Sequence, residues 1–185
     1  MILEGIITTL DPSGDINISP MGPHVESETF ERFELKPYNT SQTYKNLKSH
    51  GEGVLHVVDD VWLLARAAVG KVDSPTFAAE KVNGRVLENA CHYYEFVVRE
   101  MDETSERINI QAEVVHKKTI KNFFGLNRAK HAVVEAAILA TRISFLPIEE
   151  IQAEYDRLEV LVQKTGGVNE HRAFDYLRQY VTDNS

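Results

Sequence analysis

Apolar residues recur with a period of two through the first 120 residues and with a helical period through the rest. The two-residue period predicts strands over Ile2–Leu10, Ile16–Ser19, Phe30–Leu35, Val54–Val58, Tyr93–Arg99 and Arg107–His116. "DPSGD", Asp11 to Asp15, is a turn between the first two. Helices are expected inside this region over Ser41–Ser49 and Ser74–Val82, while Asp59–Val69, "DDVWLLARAAV", fits a helix or a strand equally well. In "GDINISPMGPHV", Gly14 to Val25, Ile16 and Ile18 alternate with Asn17 and Ser19 as on a half-buried strand. Pro20, Gly22 and Pro23 are then expected to end the pairing in a corner that exposes backbone. A strand end that turns away from its sheet is a candidate binding place.

Beyond Asn122 the chain reads as three helices. Leu126–Phe145 is rich in Ala and aliphatics, and Pro147 suits the first position of the next helix. Ile148, Ile151, Tyr155, Leu158 and Val162 then make one apolar stripe that ends at Gly166 and Gly167. Asn169 is the expected cap of a last helix carrying Ala173, Phe174, Leu177 and Val181. Strands followed by helices imply an α+β protein whose strands form an antiparallel barrel or sandwich, divided as 1–120 and 121–185. The connecting "KKTIKNFFGLNR" lacks the composition of a free linker, so the two parts are expected to pack.

Composition narrows the classes. A chain of 185 residues with 43% hydrophobic content is long enough to bury a sizeable core. No stretch approaches the roughly 18 continuous apolar residues of a membrane span, and the first residues do not read as a secretion signal, so a cytoplasmic protein without membrane partners is expected. The net charge of −8 argues against a nucleic-acid surface. That charge is uneven, with 12 basic and 19 acidic residues up to position 120 and 8 and 9 thereafter. An anion bound by the first part therefore needs local donors. A single cysteine, Cys91, has no second thiol for a disulfide or zinc pair.

The usual catalytic signatures are missing: no GxGxxG, phosphate loop, HExxH or GxSxG occurs. No metal site or catalytic acid–base set is expected, and His92 and Glu95 fall on opposite faces of a strand. "YNTSQTYKNL", Tyr38 to Leu47, does carry chemistry. Asn39, Thr40, Ser41 and Thr43 gather at the start of a short helix, whose free N–H groups and dipole favour an anion, with Lys45 and Asn46 close by. Plain helix capping explains the same residues. In the first C-terminal helix, Arg128, His131, Glu135 and Arg142 share roughly a 60° sector. They read as an ion-pair seam, or as contacts to a ligand or partner.

Four segments in order, "EGIITTLDPSGDINISPMGPHVE", "KPYNTSQTYKNL", "GVLHVVDDVWLLARAAV" and "NRAKHAVVEAAILATR", resemble the DUF447 family, related to the flavin reductase group of FMN-binding split barrels. The resemblance implies an antiparallel split β-barrel that binds FMN at a homodimer interface, followed by a three-helix extension. By position it implies that Asn17, Ser19, Pro20 and Met21 contact the isoalloxazine or ribityl part, and that Ser41, Thr43 and Asn46, aided by Lys45, hold the phosphate. Many split-barrel flavoproteins bring an Arg or several Lys to the phosphate, and this segment offers one close Lys. Further charge would then come from the other subunit, Arg128 or Arg142. The implied activity is an oxidoreductase of flavin-reductase type fed by a nicotinamide donor, the cofactor carrying the redox chemistry. A flavin held without turnover is the alternative, and a heme or pyridoxal-phosphate-type ligand on the same barrel is a third reading.

Overall fold

The strands expected from the two-residue period are present, and their order explains the corner. A computed structural model describes residues 1–26 and 29–185. Strand β1 (Gly5–Leu10) pairs antiparallel with β2 (Ile16–Met21), and β3 (His24–Val25), β4 (Arg32–Leu35), helix α1 (Gln42–His50) and β5 (Glu52–Val57) follow. Helix α2 (Val61–Val69), the short hairpin β6 (Thr76–Ala78) and β7 (Arg85–Leu87), and the long strands β8 (His92–Asp102) and β9 (Asn109–Thr119) complete this region. Helices α3 (Arg128–Ala140), α4 (Ile148–Thr165) and α5 (Val168–Asn184) end the chain.

The main sheet runs β2-β1-β5-β8-β9-β4-β3, so β2 and β3 lie at its two edges although only Gly22 and Pro23 separate them. Edges joined by two residues require a curled sheet, and the result is an antiparallel half-barrel. Residues before β1 help close it: Leu3 N–H donates to the Pro23 carbonyl at 3.1 Å and Val25 N–H to that of Met1 at 2.8 Å. At this seam a Cβ on Gly22 would sit 2.8 Å from Ile2 Cγ2, so only glycine fits without displacing it.

Ile7, Phe33, Leu35, Leu47, Leu55, Phe96 and Ile110 make the centre of the barrel core. These residues come from five strands and from α1, which lays Tyr44 and Leu47 on the sheet. Gly51 ends α1 in the left-handed conformation, φ 69°, and its N–H donates to the Leu47 carbonyl.

Two expectations fail here for physical reasons. Pairing runs on through Pro20, which faces Ile6, and stops only after Met21. An edge strand tolerates proline because the missing N–H faces away from its neighbour. No helix forms over Ser74–Val82; the segment is the β6 arm and a turn. The backbone N–H groups of Glu80, Lys81 and Val82, which a helix would use, donate instead to the buried carboxylate of Glu95 at 2.8, 2.6 and 3.2 Å.

The chain forms two compact units, Met1–Val58 with Asp73–Phe123, and Asp59–Val72 with Phe124–Ser185. The second unit gathers α2, left undecided by sequence, with the three C-terminal helices. Asp60 caps α2 by accepting from Leu63 N–H, and Asn127 caps α3 by accepting from Lys130 N–H. Helix α3 buries Ala129, Ala132, Val133, Ala136, Ala137 and Ala140. The small side chains let α4 come close enough for the Tyr155 hydroxyl to donate to the Ala136 carbonyl at 2.7 Å. The expected stripes of α4 and α5 are both present, with Ile151, Tyr155 and Val162 on one helix and Ala173, Phe174, Leu177 and Val181 on the other. Pro147 stands just before α4 as its N-cap. Gly167, rather than Asn169, begins α5, because Glu170 reaches back to accept from Gly167 N–H at 2.9 Å.

Candidate functional site

The register of the first hairpin builds the site. Asp11 Oδ1 accepts from Ser13 N–H, the Ser13 hydroxyl and Asp15 N–H at 2.8, 2.7 and 2.9 Å, while Gly14 turns the chain at φ 90°. These bonds hold the Asp11 carboxyl below the usual carboxylate range. With the turn fixed, Thr9 falls opposite Asn17, and α1 packs over both. Asn17 Nδ2 donates to Thr43 Oγ1 at 3.1 Å and more weakly to Thr9 Oγ1 at 3.4 Å. Asn46 Nδ2 donates to the same Thr9 oxygen at 3.0 Å, and Gln42 Nε2 donates to Asn46 Oδ1 at 2.7 Å. Thr43 and Asn46 lie one turn apart on α1, which is why one helix face brings both to the hairpin.

The structure therefore unites Asn17, Thr43 and Asn46, and it adds Thr9, which the sequence reading did not single out. The hairpin register was the available signal, since a symmetric turn through Ser13 places Thr9 across from Asn17. Thr9, Thr43 and Asn46 are almost fully buried, with 1%, 2% and 1% exposure, whereas Asn17 is half-buried. Ser41 is the α1 N-cap: its Oγ accepts from Tyr44 N–H at 3.2 Å and donates to the Tyr38 carbonyl at 2.8 Å. Gln42 and Thr43 N–H have no acceptor among the described residues, as the first turn of a helix leaves them. Lys45 is exposed on the same helix, while Lys48 is engaged by Glu103 at 2.7 Å. Ser19, Pro20 and Met21 are half-buried along the end of β2, and Met21 packs against the barrel core.

A second polar set holds the other side of this unit. His56 is buried; its Nδ1 donates to the Ile6 carbonyl at 3.0 Å, which leaves Nε2 to accept from Leu87 N–H at 3.1 Å. Burial pushes its pKa down to about 4, so the ring stays neutral at ordinary pH. The expected seam of Arg128, His131, Glu135 and Arg142 is exposed, and Arg142 lies beyond the end of α3. Among the described residues none of the four takes part in an ion pair. No group of three or more metal-binding side chains is found among the described residues either, and no described helix is long and apolar enough to cross a membrane.

Two family descriptions cover almost the whole chain. "Protein of unknown function (DUF447) N-terminal domain" matches residues 3–121, and "Protein of unknown function (DUF447)" matches 127–179. The chain belongs to the DUF447 family. Its fold is that of an FMN-bound DUF447 protein from Methanosarcina mazei, with a TM-score of 0.83 at 22% identity over 97% of this chain and 94% of that one. The match to a 2-nitrobenzoate 2-nitroreductase from Pseudomonas fluorescens has a TM-score of 0.54 at 15% identity, over 63% of this chain and 64% of that one. For the flavin reductase of a styrene monooxygenase from Pseudomonas putida S12 the TM-score is 0.51 at 12% identity, over 64% and 80%. The architecture of this DUF447 chain is a split barrel with added helices. No curated protein matches the chain.

Proposed function

We propose that this DUF447 protein binds FMN on its split barrel and acts as a homodimeric oxidoreductase of flavin-reductase type. The observation that carries the reading is the hydrogen bond from Asn17 to Thr43, which ties the start of β2 to the first turn of α1 in a fold that an FMN-bound family member shares. The donor set suits the ligand. Hydroxyls and amides on a strand end match the neutral polar edge of a flavin, and a helix start with unclaimed N–H groups beside Lys45 suits its phosphate.

In this reading Asn17, Ser19, Pro20 and Met21 border the ring and ribityl chain, while Ser41, Lys45 and the free N–H groups of Gln42 and Thr43 hold the phosphate end, over the buried side chains of Thr43 and Asn46 that position this turn. Bound FMN supplies the redox chemistry, accepting electrons from a nicotinamide donor and passing them on. The protein's part is binding and orientation. Thr9 and Asn46 keep the Thr43 turn in place, and Pro20 and Met21 offer an apolar edge beside backbone carbonyls.

The test is spectroscopic. The purified protein, alone and after addition of FMN, is expected to show a perturbed flavin spectrum and a raised melting temperature, at the mass of a dimer. NADH or NADPH is then expected to bleach the bound flavin, with air restoring it through repeated cycles. Unchanged absorbance and melting at saturating FMN would overturn the proposal; bound flavin without turnover above that of free FMN would leave a carrier or sensor in place of a reductase.

A further inference from the structure

The helical unit holds a second cationic–aromatic cluster that the flavin reading does not use. Trp62 and Arg66 lie one turn apart on α2, and Arg172 and Tyr176 lie one turn apart on α5. Both guanidinium groups lie over the one indole, with their carbons 4.1 Å (Arg172) and 5.0 Å (Arg66) from the ring centroid. Tyr176 meets the indole edge-on at 5.4 Å. A cation–π contact leaves the N–H donors of a guanidinium free to meet an anion.

Neither arginine has a carboxylate partner among the described residues, although the chain carries an excess of acidic groups. Of the acidic side chains close to them in sequence, Asp60 caps Leu63 N–H, Glu170 accepts from Gly167 N–H, and Asp175, three residues from Arg172 on α5, makes no ion pair with it. Arg66 Nε is buried and finds no acceptor. Two like charges brought to one ring without a counter-ion repel each other and raise the free energy of the folded unit. A bound dianion reverses that term.

We infer that Arg66 and Arg172, held against Trp62 beside Tyr176, form a binding site for the phosphate groups of a phosphate ester. Two guanidinium forks match the charge and the oxygen geometry of a phosphate better than those of a single carboxylate. The inference stands independently of the flavin reading, since every residue in it belongs to the helical unit.

Trp62 is the only tryptophan, so its indole N–H gives a single assignable signal in an amide correlation spectrum of the full chain. With FMN present at saturation, ADP is expected to shift that signal to a plateau, and Arg66→Gln and Arg172→Gln are each expected to weaken ADP binding by about tenfold to a hundredfold. Arg172 is exposed, so its variant tests the site without disturbing the core. Lysine at either position, which keeps the charge and loses the fork, is expected to recover part of the affinity. Pyrophosphate binding at least as tightly as ADP supports recognition through the phosphate groups by the two guanidinium forks. Overturning results are no plateau with ADP, an equal response to sulfate at matched ionic strength, or ADP affinity unchanged in Arg172→Gln. Flavin absorbance, followed in the same samples, reports on the FMN proposal separately.

Discussion

The two units are stabilised by different kinds of interior. All six fully buried polar residues among those described, Thr8, Thr9, Thr43, Asn46, His56 and Glu95, belong to the barrel. The helical unit buries alanines and larger apolar groups, with the Tyr155 hydroxyl tied to a helix carbonyl. An apolar interior tolerates volume-conserving change, whereas a buried polar group must keep its partner or incur the cost of desolvation. The lesson is that the barrel has the demanding interior, because each of its buried polar groups is held by a partner from another part of the chain.

The sharpest way to break this contrast is Glu95→Ala. It removes the common acceptor of three backbone N–H groups and is expected to destabilise the protein by about 3–5 kcal/mol, read by urea denaturation. If the loss were no larger than that of an ordinary surface change, the buried carboxylate would not be what organises the β6–β7 hairpin.

Acid titration probes the same interior through His56. Its folded pKa of about 4 lies below the ordinary 6.5, so the unfolded chain takes up the proton first. Stability is therefore full above pH 6.5 and falls as pH drops towards 4, by about 3 kcal/mol in all. His56→Gln is expected to flatten this part of the pH–stability curve, while variants confined to the helical unit leave it unchanged.

A smaller effect bears on the candidate site. The double variant Ser41→Ala with Thr43→Ala is expected to weaken FMN binding by roughly 1–3 kcal/mol in a protein that still folds. Fluorescence quenching of added FMN measures it, and an unchanged affinity would return the segment to helix capping and hairpin packing. The smallest change is expected from Tyr155→Phe in the helical unit, about 1 kcal/mol, since the Ala136 carbonyl keeps its place in α3.

Much of this was legible in the pattern of residues because it depends on local chemistry. The alternation around Ile16 and Ile18, the Ser41 cap, and the stripes of α4 and α5 need only neighbours in sequence. What escaped depends on distant partners. Glu95 claims the N–H groups of residues 80–82 from 13 to 15 positions away, and that turns an expected helix into a hairpin. Pro20 is compatible with pairing only because β2 lies at an edge, which the strand order decides. In the site, Asn17, Thr43 and Asn46 carried polar chemistry in suggestive places, yet Thr9 reads as one more strand threonine until the Asp11 turn sets its neighbour.

The excursion of the chain into α2 between Val58 and Asp73 has a practical result for anyone dividing this protein. A fragment ending at residue 120 still carries Val61, Leu63, Leu64 and Ala65, buried in the intact chain, but has lost α3 and α5, against which α2 packs. Such a fragment would present an apolar helix without its partners and would tend to self-associate. The helices are thus not a removable tail, and inheritance or engineering has to move both units together.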